Sequence, residues 1–221
     1  MLDSPAVPSC LECPLGAFGG CAFTSRRVAR GTQLWSQGEV PPEVIFVKSG
    51  VLGLSTSDAS GAEVATAVRG PRSLLGFEAL RGQSASSSME ALTDSVVCMA
   101  SPLTVWQNAG LRSSGAAGSP HSAASTNALF QLTLDELLRL GRDSERRSGS
   151  AMARVARFLG EHGDLITTRR HAPFSKRHVA SLLGLRPETF SRCLRVLEAA
   201  GVISRGPDLR VLDSSRLQDF G

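Results

Sequence analysis

No apolar run in this 221-residue sequence approaches the roughly 20 residues that a membrane-spanning helix needs. The opening stretch, Met1 to Ser9, has neither a basic start nor an apolar core, so no secretion signal is read there and a cytoplasmic setting is expected. Catalytic signatures are missing too. No nucleophile stands beside a base and no paired carboxylates share a plausible cleft. The glycine-rich run Gly16 to Cys21 lacks the lysine and following helix of a phosphate-binding loop. A membrane protein and an enzyme are therefore both disfavoured. What is present suits one large or two small folded domains: 42% of residues are hydrophobic and 20% charged, enough for a core and too apolar for wholesale disorder.

Cysteine is sparse but clustered. Five cysteines are an odd number, and in a reducing compartment clustered thiols point to metal binding or redox chemistry rather than a disulfide framework. Cys10, Cys13 and Cys21 lie near the N-terminus at x2 and x7 spacing, and Cys98 lies in the apolar run Val96 to Met99. Iron–sulfur clusters take thiolate ligands, usually four, with the closely spaced ones on a wrapping loop. Gly16, Gly19 and Gly20 would let the backbone fold tightly there. Structural zinc would be served equally well by the four thiols, and a Cys10–Cys13 disulfide would give a metal-free redox switch. Cys193 falls on the apolar face of an expected helix and reads as a small buried hydrophobe. The four histidines have no mutual metal spacing and read as surface residues.

Short apolar runs separated by turns fill the first half. Thr32 to Trp35, Val44 to Val47, Gly50 to Leu54, Glu63 to Val68 and Val96 to Met99 are strand-like, with turns at Lys48 to Gly50 and Ser57 to Gly61. Such spacing suggests a jelly roll or related barrel. Only Ala22 to Arg30 separates Cys21 from the first of these strands. Asn108 to Thr126, rich in Gly, Ser and Ala, reads as a loop or frayed helix end. A long helix is expected from Asn127 to Arg147. Phe130, Leu134, Leu137 and Gly141 form one stripe, and Leu129, Leu132 and Leu140 a neighbouring one. Two stripes need two partners, one of which can be the barrel and the other a second copy of the helix.

Net charge is +4, but its distribution says more than its total. Arg169, Arg170, Lys176, Arg177, Arg186, Arg192 and Arg195 crowd one stretch against a single Glu188. The same stretch has the pattern of two helices and a tight turn. Ser175 can cap the first helix, whose inner face is Val179, Leu182 and Leu183. Gly184 makes the turn, Pro187 suits the first turn of the second helix, and Phe190, Leu194 and Leu197 point inward. Glu188, Ser191, Arg192 and Arg195 are left outside, the residue types that read base edges and phosphates in a major groove. Val202 to Arg205 and Leu209 to Leu212 flank Gly206-Pro207-Asp208 as a two-stranded wing.

This segment resembles the winged helix–turn–helix of the CRP/FNR superfamily, and Glu188-Thr189-Phe190-Ser191-Arg192 resembles the E-x-x-S-R recognition motif of its FNR branch. The three N-terminal cysteines with distant Cys98 resemble the ligand set of FNR-type oxygen sensors. The resemblance spans nearly the whole chain. It implies an α+β protein with a double-stranded β-helix (jelly-roll) sensor domain like those that bind cyclic nucleotides. A long dimerisation helix and a C-terminal winged helix–turn–helix would follow. The segments would be 1–21 for the cluster, 22–124 for the barrel, 125–147 for the dimer helix and 148–221 for the DNA-binding domain. Function by resemblance is transcription regulation through palindromic TTGAT-type sites, as a homodimer working with RNA polymerase. A 4Fe–4S cluster on Cys10, Cys13, Cys21 and Cys98 would sense oxygen or nitric oxide. Lys176, Arg177 and Arg186 would join Ser175 and the outer face of the second helix in holding DNA. Haem, used by some relatives, is a further alternative. Cyclic nucleotide is not expected. Gly76 to Leu80 resembles the start of that cassette, but Ser84 to Ser88 contains no arginine to neutralise a cyclic phosphate, and Arg81 comes too early.

Overall fold

The computed structural model describes residues 13–14, 21–57, 61, 63–109, 120–145, 147–167, 176–205 and 209–220. It divides into two compact units, one of residues 1–61 and 68–139, the other of residues 62–67 and 140–221. Among the described residues no helix is long and apolar enough to cross a membrane.

Two four-stranded sheets organise the first half of the chain, residues 63–67 of the last strand being counted with the second unit. One has the order β1 (Thr24–Val28), β8 (Ser95–Ala100), β3 (Val44–Ser49), β6 (Leu74–Leu75); the other runs β2 (Gln33–Trp35), β7 (Ser88–Ala91), β4 (Leu52–Ser57), β5 (Glu63–Arg69). Strict alternation in the central strands sorts their side chains to opposite faces. Ile45, Val47, Val97 and Met99 turn inward and meet Leu52, Met89, Ala91 and Trp35 of the other sheet. The Trp35 indole donates to the Ser87 carbonyl at 3.0 Å, which satisfies the one polar atom that this core takes in. Val44, Phe46, Cys98 and Ala100 turn the other way. There they pack with Leu74 and with Ala79 of α1 (Phe77–Arg81), Val105 of α2 (Pro102–Asn108) and Leu132 of α3 (Pro120–Glu145).

Three strands escape the pattern reading: β1, β6 and β7. Thr24 to Val28 falls in the stretch that the sequence leaves between Cys21 and the first strand, and four of its five side chains are exposed, yet its backbone pairs with β8 from Ser95 to Met99. Lys48, read as a turn residue, instead lies within β3 and is buried. The long helix begins at Pro120 rather than near residue 125, with proline in the first turn where its missing N–H costs nothing, and it ends at Glu145.

The second unit carries α4 (Ala151–Thr167), α5 (Lys176–Leu182), α6 (Pro187–Ala199) and the antiparallel pair β9 (Ile203–Arg205) and β10 (Leu209–Val211), then a 3-10 turn over Arg216–Phe220. Val155, Phe158 and Leu159 of α4 are fully buried, as their stripe requires. His162 is not a surface residue: its ring lies tilted against Phe158, with centroids 5.0 Å apart.

Candidate DNA interface and cysteine face

Two short helices and the turn between them form the first candidate site. Val179, Leu182 and Leu183 bury one side of α5 and its exit; Phe190, Leu194 and Leu197 bury the facing side of α6. Gly184 takes the left-handed conformation at φ 63°, which a side chain would resist, and so reverses the chain within four residues. Arg154 of α4 fastens this turn by donating to the Leu183 carbonyl at 3.0 Å. Arg186 then enters α6 in extended backbone and Pro187 begins the helix.

Outside the packed face, Glu188, Arg192 and Arg195 are exposed and Ser191 is half-buried. Positions 188, 191, 192 and 195 fall on one helix face. Arg186 is exposed at the helix start and Lys176 at the start of α5. Ser175 lies outside the described residues; Arg177 lies within α5, but its side chain is not among those described. Glu188, Ser191, Arg192 and Arg195 thus put an acceptor, a hydroxyl and two guanidinium donors near the N-terminal end of one exposed helix. Such groups can accept from cytosine N4, clasp guanine O6 and N7, and hold phosphates. In the adjoining hairpin, Arg210 pairs with Ser204 and Val211 with Ile203; the 206–208 turn is outside the described residues. Cys193 is buried under α6. Burial pushes its thiol up against the opposing pull of the Arg192 and Arg154 charges, so it stays a neutral apolar filler.

The long helix offers a second surface. Phe130, Leu134, Leu137 and Leu138 are exposed, Leu138 to 62%, and Gly141 lies beyond them. Ala128, Leu132 and Glu136 are buried on the opposite side. Leu140, on the same stripe as Leu129 and the buried Leu132, is 53% exposed. That stripe continues through polar residues: Glu136 pairs with the buried Arg69 of β5, and Arg139 bonds Ser73 while lying 3.7 Å from Glu136.

Cysteines make up the third feature. Cys13 and Cys98 are both buried in the cluster between the β1–β8–β3–β6 sheet and its helices, and Cys21 is half-buried just before β1. Their meeting has a simple cause. Strand β1 starts three residues after Cys21 and pairs with β8, setting Ser25 opposite Cys98 and Thr24 opposite Met99. The short segment after Cys21 thus contains the strand that brings Cys21 toward Cys98. Burial pushes the Cys98 thiol up; Lys48 pulls it down, Cys13 pushes it up, a Ser25 hydrogen bond lowers it and Cys21 raises it again. Among the described residues no three ligand-type side chains stand at metal-binding geometry. Cys10 lies outside them. Sequence alone offered no hint of Lys48 or of the Arg69–Glu136 pair, because nothing in a local pattern announces a buried charge.

Comparison with known proteins adds two family models. The cyclic nucleotide-binding domain matches residues 25–107 and the Crp-like helix-turn-helix domain residues 153–220. The chain is 29% identical over 215 residues to the nitrogen fixation regulation protein FixK of Azorhizobium caulinodans, covering 95% of this chain and 80% of that one. In three dimensions it resembles FixK2 from Bradyrhizobium japonicum, with TM-score 0.70, 23% identity, and 90% and 96% of the two chains covered. It also resembles a CRP-family transcriptional regulator from Thermus thermophilus, with TM-score 0.68, 21% identity, and 88% and 95% covered. The named likeness is to FixK-type regulators and not specifically to the FNR branch that the recognition motif and cysteines suggested.

Proposed function

We propose that this chain, which its two domain matches and its likeness to FixK mark as a CRP/FNR-type transcription regulator, binds a palindromic operator as a homodimer under the control of a cysteine-held iron–sulfur cluster. The observation that carries the DNA reading is the outer face of α6, where Glu188, Ser191, Arg192 and Arg195 are turned away from a fully apolar inner face. A dimer would set two such helices in successive major grooves, with Lys176 and Arg186 on the flanking phosphates. The exposed stripe Phe130, Leu134, Leu137 and Gly141 would join the two copies. RNA polymerase is the downstream partner in this reading, and the setting is the cytoplasm.

Cys10, Cys13, Cys21 and Cys98 would hold the cluster, of the 4Fe–4S type. The donor set suits it: all are thiols, and two lie buried in apolar surroundings that restrict solvent. Bound there, such a cluster supplies a redox-active, oxygen-reactive centre. The chain's own part is to pack Cys13 against Cys98, to pair β1, which follows Cys21, with β8, and, through Leu132 in the same cluster, to fix the underside of α3. Against a cyclic nucleotide stands the barrel interior, filled by Trp35, Met89, Leu52 and their neighbours, with Arg81 exposed at the end of α1.

The test is purification without oxygen, then a visible spectrum with iron, sulfide, zinc and haem analysis before and after air is admitted. A brown protein that bleaches in air while operator binding falls is the expected result. A colourless protein with one zinc or no metal, or a haem spectrum, would overturn the cluster and leave the DNA reading to its own binding assay.

A further inference from the structure

Helix α6 packs against both α4 and α5, so its bearing follows the placing of those two helices. Where α5 ends, the Gly184 and Leu185 N–H groups donate to the Ser181 and Ala180 carbonyls. This is the Schellman ending, with Gly184 as its left-handed residue. The Leu183 carbonyl lies past these bonds. It accepts at 3.0 Å from Nη1 of Arg154, which stands on α4. The same nitrogen lies against Gly184, 3.7 Å from where a Cβ would be.

That single bond is an odd use of an arginine. Its Nε is buried and makes no hydrogen bond to a described residue. A guanidinium taken partly out of water for one neutral carbonyl adds little to stability. What it adds is direction. A hydrogen bond weakens steeply with misalignment, so it holds the turn at one place on α4, where apolar packing alone would let it slide. Helix α6 itself begins without a side-chain cap: Arg186 supplies no such bond, and Pro187 has no N–H to be held. Its entry is set by the turn before it.

We propose that Arg154 is a positioning residue for base readout: it ties the α5–α6 turn to α4 and so sets the angle at which α6 offers Glu188, Ser191 and Arg192. A bidentate arginine–guanine contact needs two N–H groups in line at once, so a small tilt of the helix is felt there first. Phosphate contacts by long side chains tolerate the same tilt, and they carry no sequence information. The inference rests on the DNA reading of α6 above.

The experiment compares wild type, Arg154→Met and Arg154→Lys, each as the full chain prepared without oxygen. It reads affinity for a palindrome that the wild type selects from random duplexes, affinity for a scrambled duplex across a salt series, and thermal unfolding. Arg154→Met should bind the selected palindrome about tenfold more weakly, the lower part of what one bidentate contact is worth. Its affinity for the scrambled duplex and the salt dependence of that affinity should match wild type. Arg154→Lys keeps an N–H donor at the carbonyl and should recover most of the loss. Unfolding should shift by no more than about 5 °C, as the loss of one neutral-acceptor bond requires. An unchanged ratio between the two duplexes would overturn the inference. So would an equal loss on both with a shallower salt dependence, which would put Arg154 on a phosphate, or an Arg154→Met that no longer folds, which would assign the residue to stability. A wild type that selects no palindrome would sink the DNA reading itself, and the role of Arg154 with it.

Discussion

The two helices that meet the outside world, α6 and α3, are built with opposite polarity. In α6 the buried side is apolar throughout, Phe190, Cys193, Leu194 and Leu197, and the exposed side carries Glu188, Arg192 and Arg195. In α3 the exposed side carries Phe130, Leu134, Leu137 and Leu138, while the buried side includes Glu136, paired with Arg69. A helix with charge outside is finished when its own domain has folded. One with leucines outside has a face that water disfavours, and it is completed by another apolar surface. In the function proposed above, the contrast would separate a helix that meets a polyanion from a helix that meets its own copy.

Breaking the polar face should have the largest effect. Arg192→Ala is expected to abolish discrimination between a cognate palindrome and a scrambled duplex in competition binding, with self-association unchanged. Retained discrimination would remove α6 as the reading element. Next comes the inner charge of α3. Glu136→Ala strands Arg69 in the interior, and urea unfolding should show a loss of about 3–5 kcal/mol, whereas replacing both partners with apolar residues of similar size should recover most of it. A full loss persisting in the double variant would mean that Glu136 acts on something besides Arg69.

Leu134→Glu addresses the apolar face directly. It should weaken self-association by about a hundredfold, the factor that roughly 3 kcal/mol carries, as read by sedimentation across a concentration series. Helix content should not change. An unaltered dimer would place the interface elsewhere. The smallest effect is the finest: Glu188→Ala should cost about 1–3 kcal/mol of discrimination at one base position of each half-site and little elsewhere. Base-by-base competition that finds the loss spread evenly would assign Glu188 to general field effects rather than to readout.

How much of this was legible in sequence follows the range of the interactions. The α5–α6 unit rests on local chemistry, with Gly184 at the turn, Pro187 at a helix start and leucines at helical spacing, so a short window contains the whole motif. The exposed stripe of α3 is equally local. Strand β1 is not: Thr-Ser-Arg-Arg-Val has no alternation to find, and its identity as a strand comes from β8, far along the chain. Leu140 shares a stripe with the buried Leu132, yet it is exposed, and the buried position one turn before it is held by Glu136, which an ion pair makes tolerable there. The cysteines fall between these cases. Their number and spacing are visible in the chain, while the reason Cys21 and Cys98 meet lies in the ladder of a strand that the pattern misses.

The Arg69–Glu136 pair has a consequence for the geometry of α3. Successive residues of an α-helix are turned by about 100° around its axis, so a slip of one position would swing Glu136 away from Arg69 and the leucine row away from its outward bearing. Apolar packing alone tolerates such sliding, since one leucine can replace another against a sheet. A buried charge aimed at its counterpart does not. The pair acts as a key in a keyway: it indexes the rotation of the shaft, and with it the direction in which the row of leucines is offered.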